Sequence, residues 1–75
     1  MKYIPISCSL YDRIESLAIG KKYVDVIYSD DIENKTLSGK IENIYSKDKA
    51  EYLRINSIEI RLDQIIKISE RLDLV

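Results

Sequence analysis

Carboxylates are the reactive side chains that this sequence gathers most closely. Asp12 and Glu15 lie three residues apart, Asp30 and Asp31 are adjacent with Glu33 beyond them, and Glu51 precedes Arg54 by three. Paired carboxylates can divide general acid and base roles, or hold a cation, when their surroundings push their acidities apart. The other parts of such machinery are missing. The chain has no histidine, the commonest general base and metal ligand, and its one cysteine, Cys8, has no histidine to activate it. Gly20 and Gly39 are the only two glycines, so there is no glycine-rich phosphate loop. The Asp30, Asp31 and Glu33 group lacks the glycine and the distal bidentate glutamate of a calcium loop, and reads better as a charged hairpin tip that discourages edge pairing. No catalytic residue, metal site or cofactor is expected, and the chain is not expected to be an enzyme. The alternative use of Asp12 and Glu15 is as a surface shown to a partner.

The element that must position them is a helix, expected over residues 9–19. Leu10, Ile14, Leu17 and Ala18 recur at helical spacing and form one apolar stripe, with Tyr11 at its border and Asp12, Glu15 and Ser16 opposite. Ser9, three residues before Asp12, looks like the N-cap of a capping box, and Gly20 is placed to end the helix in a left-handed conformation. Pro5 keeps the preceding segment extended.

After Gly20 the period changes to two. Strands are expected at about 22–29, 36–45, 50–56, 58–62 and 64–69, from alternations such as Val24, Val26 and Tyr28 against Asp25, or Leu53 and Ile55 against Tyr52 and Arg54. The links between them are too short for parallel crossovers, so neighbouring strands must be antiparallel. Residues 70–75 read as a tail or a last half-turn. The fold class expected is mainly β: a small five-stranded antiparallel Sm-like (SH3-like) barrel whose curling hides the sheet edges, with the N-terminal α-helix capping one open end. Gly39, inside a strand pattern, is expected to allow a bend or bulge.

The chain of 75 residues allows one domain, 1–75, with a thin core. Twelve Lys and Arg face thirteen Asp and Glu, a net charge of −1, and the signs alternate along the chain. A phosphate-binding protein usually gathers a basic excess on one face, so direct nucleic-acid binding is not expected. No apolar run approaches the roughly 20 residues needed to span a bilayer, no apolar segment follows Lys2 as in a secretory signal, and the lone cysteine excludes an internal disulfide. A cytoplasmic monomer with no membrane attachment is expected. Six tyrosines accompany no Phe or Trp. Tyr28 and Tyr52 are expected as half-buried strand residues, and stacking of single-stranded RNA on such rings is the alternative.

Four motifs then carry a resemblance. Tyr3-x-Pro5-Ile6-x-Cys8-x-x-Tyr11-Asp12-x-x-Glu15, Ser38-Gly39-Lys40, Glu51-Tyr52-Leu53 and Ile60-Arg61-Leu62-Asp63-x-Ile65 follow in this order across nearly the whole chain. Together they resemble the Rof (YaeO) family of Rho-binding antiterminators. The resemblance implies an Sm-like barrel with an N-terminal helix. It also implies a partner, the transcription termination factor Rho, bound on its N-terminal OB-fold domain at the primary RNA-binding site, so that termination is inhibited without catalysis. Tyr11, Asp12 and Glu15 are the first-choice contacts on this likeness, and Lys47, in the loop before Glu51, is a further one. Cys8 is read as a small buried hydrophobe at the helix start. Glu51, Arg61 and Asp63 are read as structural pairs. The alternative to a Rho inhibitor is an Sm-like RNA-binding module or an adaptor barrel for another protein.

Overall fold

The computed structural model describes residues 4–71, and the tail residues 72–75 lie outside them. Helix α1 spans Cys8–Ile19 and is followed by strands β1 (Tyr23–Ser29), β2 (Asn34–Lys47), β3 (Ala50–Ile55), β4 (Ile58–Arg61) and β5 (Ile65–Glu70), with a short 3₁₀ turn at Leu62–Gln64 before β5. The mainly-β class, the single helix and the five antiparallel strands are as expected.

The helix ends differ from expectation. Its N-cap is Ser7 rather than Ser9. The Ser7 carbonyl accepts the first helical bond from the Tyr11 N–H at 3.0 Å, and its Oγ accepts from the Leu10 N–H at 3.2 Å. Helical geometry therefore begins two residues sooner, and Ser9 falls within the first turn. At the other end Gly20 is right-handed, at φ −74°, and Lys21 takes the left-handed position at φ 52°. The Lys21 N–H donates to the Ala18 carbonyl and the Lys22 N–H to the Leu17 carbonyl, both at 3.1 Å, which is a Schellman closure with lysine where glycine is usual.

The sheet order is β4-β3-β2-β1-β5. Strand β2, 14 residues long, pairs with β1 through its first half and with β3 through its second, and its register shifts between Ile41 and Asn43. A second shift between Ile27 and Tyr28 bends β1 against β5. Such bulges increase local twist, and here they curl the sheet into a barrel-like shape. The sheet is not closed, however, and β4 and β5 remain edge strands. With only four residues in β4, the chain turns at once through Leu62–Gln64, and the fully buried Leu62 side chain joins the core.

The core is aliphatic. Ile14 and Leu17 from the helix meet Val24, Val26, Ile41, Leu53, Ile55, Ile60, Leu62 and Ile68 from the sheet and turn. Tyr28 and Tyr52 are half-buried. Gly39 makes neither of the expected distortions. It is buried in regular β2 pairing, and a Cβ there would lie 2.9 Å from Ile55 Cγ2 and 3.0 Å from Asn56 Oδ1. Close packing, not a bend, requires glycine. The links β2–β3 and β3–β4 are two-residue turns in which Asp48, Lys49, Asn56 and Ser57 all have positive φ, 52°, 64°, 52° and 65°. That is the type I′ pattern, formed here without glycine.

Candidate functional site

The outward face of α1 is set by where the helix is held. Ile14 is fully buried and Leu17 nearly so, which fixes the rotation of the helix about its axis. Upstream, the Ile4 N–H donates to Asp63 Oδ2 at 3.0 Å, and Arg61 grips the same carboxylate through Nη2 at 2.6 Å and Nε at 3.1 Å. The Arg61–Asp63 pairing expected from the motif is thus present, and it also tethers the segment entering the helix. With the inner face fixed, Cys8, Asp12, Glu15 and Ile19 fall in one line at spacings of four, three and four residues, and all are exposed. Cys8 is therefore not the buried hydrophobe expected, because the phase that buries Ile14 turns position 8 outward.

Tyr11 is half-buried beside this line. It forms, with Ile6, Cys8, Asp12 and Glu51, the lining of an open cavity of 220 Å³. Burial raises the pKa of the Tyr11 hydroxyl above its ordinary 10.0, and the nearby Glu51 and Glu15 carboxylates push it further the same way. Its lining combines the apolar Ile6 and Cys8 with the Tyr11 ring and two carboxylates. Among the described residues, no ion pair or hydrogen bond engages the Asp12 or Glu15 carboxylate. A surface of this kind attracts cations and basic side chains.

Three of the expected contacts, Tyr11, Asp12 and Glu15, are thus grouped. Lys47 is not with them. It ends β2 rather than lying in a loop, its Nζ pairs with both Glu59 carboxylate oxygens at 3.0 Å, and it sits 5.1 Å over the Tyr52 ring. Tyr52 points to the face of β3 opposite Glu51 and Leu53. There Tyr45 and Tyr52 stack at 5.8 Å, Arg54 lies 5.5 Å over Tyr45, and the Tyr45 hydroxyl donates to Glu59. These hydrogen bonds, with Tyr45 first and Lys47 second, hold Glu59 below the usual carboxylate range. The ring faces are engaged by each other and by the two cations, so a nucleobase would have to displace these contacts to stack.

Glu51 is the residue that sequence reasoning underrated, as a structural pair. Its signal was present: alternation puts Glu51 on the same face as Leu53 and Ile55, the side the helix covers. A larger groove of 350 Å³, on the outer face of β5, β1 and β2, is lined by Asp25, Ser38, Lys67 and Arg71 among others. Its carboxylate is already compensated, since Asp25 accepts from the Ser38 hydroxyl at 2.5 Å and faces Arg71 at 3.9 Å. None of the expected site residues lines it. Among the described residues no three His, Cys, Asp or Glu side chains could hold a metal ion, and no helix is long and apolar enough to cross a membrane.

No protein-family model matches the chain, and no curated protein matches it significantly in sequence.

Proposed function

We propose that this protein is a non-catalytic inhibitor of Rho-dependent transcription termination, which binds the N-terminal OB-fold domain of Rho and covers its primary RNA-binding site. The observation that carries the proposal is the exposed edge of α1. Asp12 and Glu15 stand on a helix held by its buried inner face and by the tethered segment that enters it, with Tyr11 beside them and no cation of the described residues paired to either carboxylate. A cleft that binds RNA is basic because it must hold phosphates. A rigid pair of anions is suited to occupy it, and complementary charge of this kind speeds encounter and fixes orientation more than it adds affinity. The Tyr-Asp-x-x-Glu block and the three downstream motifs supply the likeness that suggests the partner. Direct RNA binding is disfavoured by the engaged ring faces of Tyr45 and Tyr52.

The test is competition. Mixed with its host's Rho, the protein should displace single-stranded RNA from the primary site and reduce termination in vitro. The Asp12→Lys/Glu15→Lys variant should keep the fold, since both positions are exposed. At low salt its association should slow by about ten-fold or more, and the difference should shrink near 1 M salt, where the screening length is about 3 Å. Unchanged RNA binding by Rho at saturating protein, or full inhibition by the reversed variant, would overturn the proposal.

A further inference from the structure

We infer that the open edge of β5 is a strand-addition site for an extended acidic segment of another protein, an interaction surface separate from α1. Strand β5 ends the sheet, and among the described residues only β1 pairs with it. The Arg71 N–H donates to the Tyr23 carbonyl at 2.6 Å, one step beyond the Val24–Glu70 pair of that ladder. In an antiparallel ladder, bonded pairs of this kind alternate with pairs whose backbone groups turn away. Ser69 and Lys67 therefore bond toward β1, while the N–H and C=O of Ile68 and Glu70 point to the open side. A strand laid along that side would pair with both groups of each residue, the mode in which sheet edges capture extended peptides.

The side chains beside this edge choose its occupant. Lys67, Ser69 and Arg71 alternate onto the outer face, where they line the 350 Å³ groove. The two cations stand four residues apart, about 13 Å along the strand. Among the described residues no carboxylate pairs with Lys67, and Asp25 stands only 3.9 Å from Arg71 while the Ser38 hydroxyl holds it. An antiparallel segment on β5 would set residues four apart opposite Lys67 and Arg71, and acidic side chains there complete the charge. Between them, a small polar residue would face Ser69, and an apolar one would lie beside the buried Ile68 on the core side. A second copy of the chain fits less well. In the two-fold register that engages both Ile68 and Glu70, Lys67 of each copy would oppose Arg71 of the other, and like charges directly opposite destabilise a pair. The β4 edge is a poorer template, since it has four residues and the Glu59 and Arg61 side chains are engaged by Lys47 and Asp63.

The probe is the capped peptide acetyl-Glu-Thr-Thr-Val-Glu-amide, titrated into the full chain and followed by amide shifts in NMR. It should shift the Ile68 and Glu70 amides together, and the counterpart with both glutamates replaced by lysine should bind about ten-fold more weakly. Methylating the valine nitrogen removes the donor that reaches the Ile68 carbonyl and should abolish the shifts. Methylating the central threonine nitrogen, whose N–H faces away from β5, should leave them. Lys67→Glu, at an exposed position, keeps the fold. It should weaken the acidic peptide several-fold and strengthen a peptide whose last glutamate is lysine. Equal binding of the acidic and lysine peptides, shifts confined to other residues, or unchanged binding after methylation of the valine would overturn the inference. So would protection of the Ile68 and Glu70 amides without peptide, with a mass that doubles as concentration rises, which would give the edge to a second copy.

Discussion

Gly39→Ala is a sharp test of how the sheet carries the helix. Gly39 has a negative φ, so alanine is conformationally allowed, and replacing glycine alone would stabilise by about 0.4–1 kcal/mol through the unfolded chain. Space opposes this. The new Cβ would sit 2.9 Å from Ile55 Cγ2, 3.0 Å from Asn56 Oδ1 and 3.1 Å from Asn56 Nδ2. Ile55 is fully buried and cannot retreat without disturbing its neighbours, an overpacking cost of about 1–3 kcal/mol. Asn56 can retreat only by giving up the bond from its Nδ2 to the Ser38 carbonyl at 2.9 Å, about 0.5–1.5 kcal/mol. The opposing terms leave a net loss of about 1–3 kcal/mol, which for a domain this small lowers Tm by roughly 5–20 °C. Urea and thermal unfolding followed by circular dichroism would measure it. In an Asn56→Gly background the cost should fall, because one of the two clashing neighbours is gone. Equal or greater stability of Gly39→Ala, or an undiminished cost in that background, would refute close packing as the reason for glycine.

Lys49→Gly and Ser57→Gly should each stabilise the fold by about 0.5–1 kcal/mol, because φ of 64° and 65° strains a side-chain-bearing residue but not glycine, and a lower urea midpoint in either would contradict the type I′ assignment. Asp30 is held at about 2, below its ordinary 3.8, first by the Lys35 ammonium and then by the Glu33 and Ile32 N–H groups. A depressed carboxylate favours the folded state when ionised, so its contribution is present above 3.8 and is lost as pH falls through about 2. Acid unfolding of the parent and Asp30→Asn should therefore converge toward pH 2, with the parent the more stable above 3.8, and parallel curves throughout would exclude this linkage. Asp63→Asn should lower the urea midpoint by removing the carboxylate that Arg61 and the Ile4 N–H share, and should speed hydrogen exchange at the Ile4 amide, whose unchanged protection would show that the tether is not real.

What could be read from sequence divides along the range of the interaction. Ile14 and Leu17 in the helix, Val24 and Val26 in β1, and Leu53 and Ile55 in β3 all lie in the core where periodicity placed them, because burial acts on every residue of a face at once. The errors are of other kinds. Ser7 and Ser9 offer the same capping chemistry two residues apart, and nothing local separates them. Asn34 and Lys35 carry no strand signal, yet pairing with Ser29 and Tyr28 recruits them into β2. That β4 and β5 end as unpaired edges of an open sheet is a tertiary outcome with no period to announce it. At the candidate site the helix face was legible. The approach of Glu51 to Tyr11 was not, because it joins residues 40 positions apart on different elements. Lys47 was misplaced for the same reason, since Glu59 reaches it from β4.

A net charge of −1 looks too small for a protein that docks on a basic cleft, but net charge is the wrong measure. Among the described residues, Lys35 pairs with Asp30, Lys47 with Glu59, Arg61 with Asp63 and, more loosely, Arg71 with Asp25. Arg13, next to Asp12 in sequence, is turned about 100° from it around the helix and about 160° from Glu15, so it does not interrupt the acidic line. What stands in front of α1 is set by Asp12 and Glu15, which no described cation pairs with, and not by the total. It follows that position, not sum, should govern association. Asp12→Asn and Glu33→Gln each remove one negative charge, both from exposed positions, the first on α1 and the second on the β1–β2 loop. Stopped-flow association with Rho at low salt should slow several-fold for Asp12→Asn and remain within error of the parent for Glu33→Gln. Equal slowing by the two would mean that bulk charge drives the encounter and that the helix edge has no special part in it.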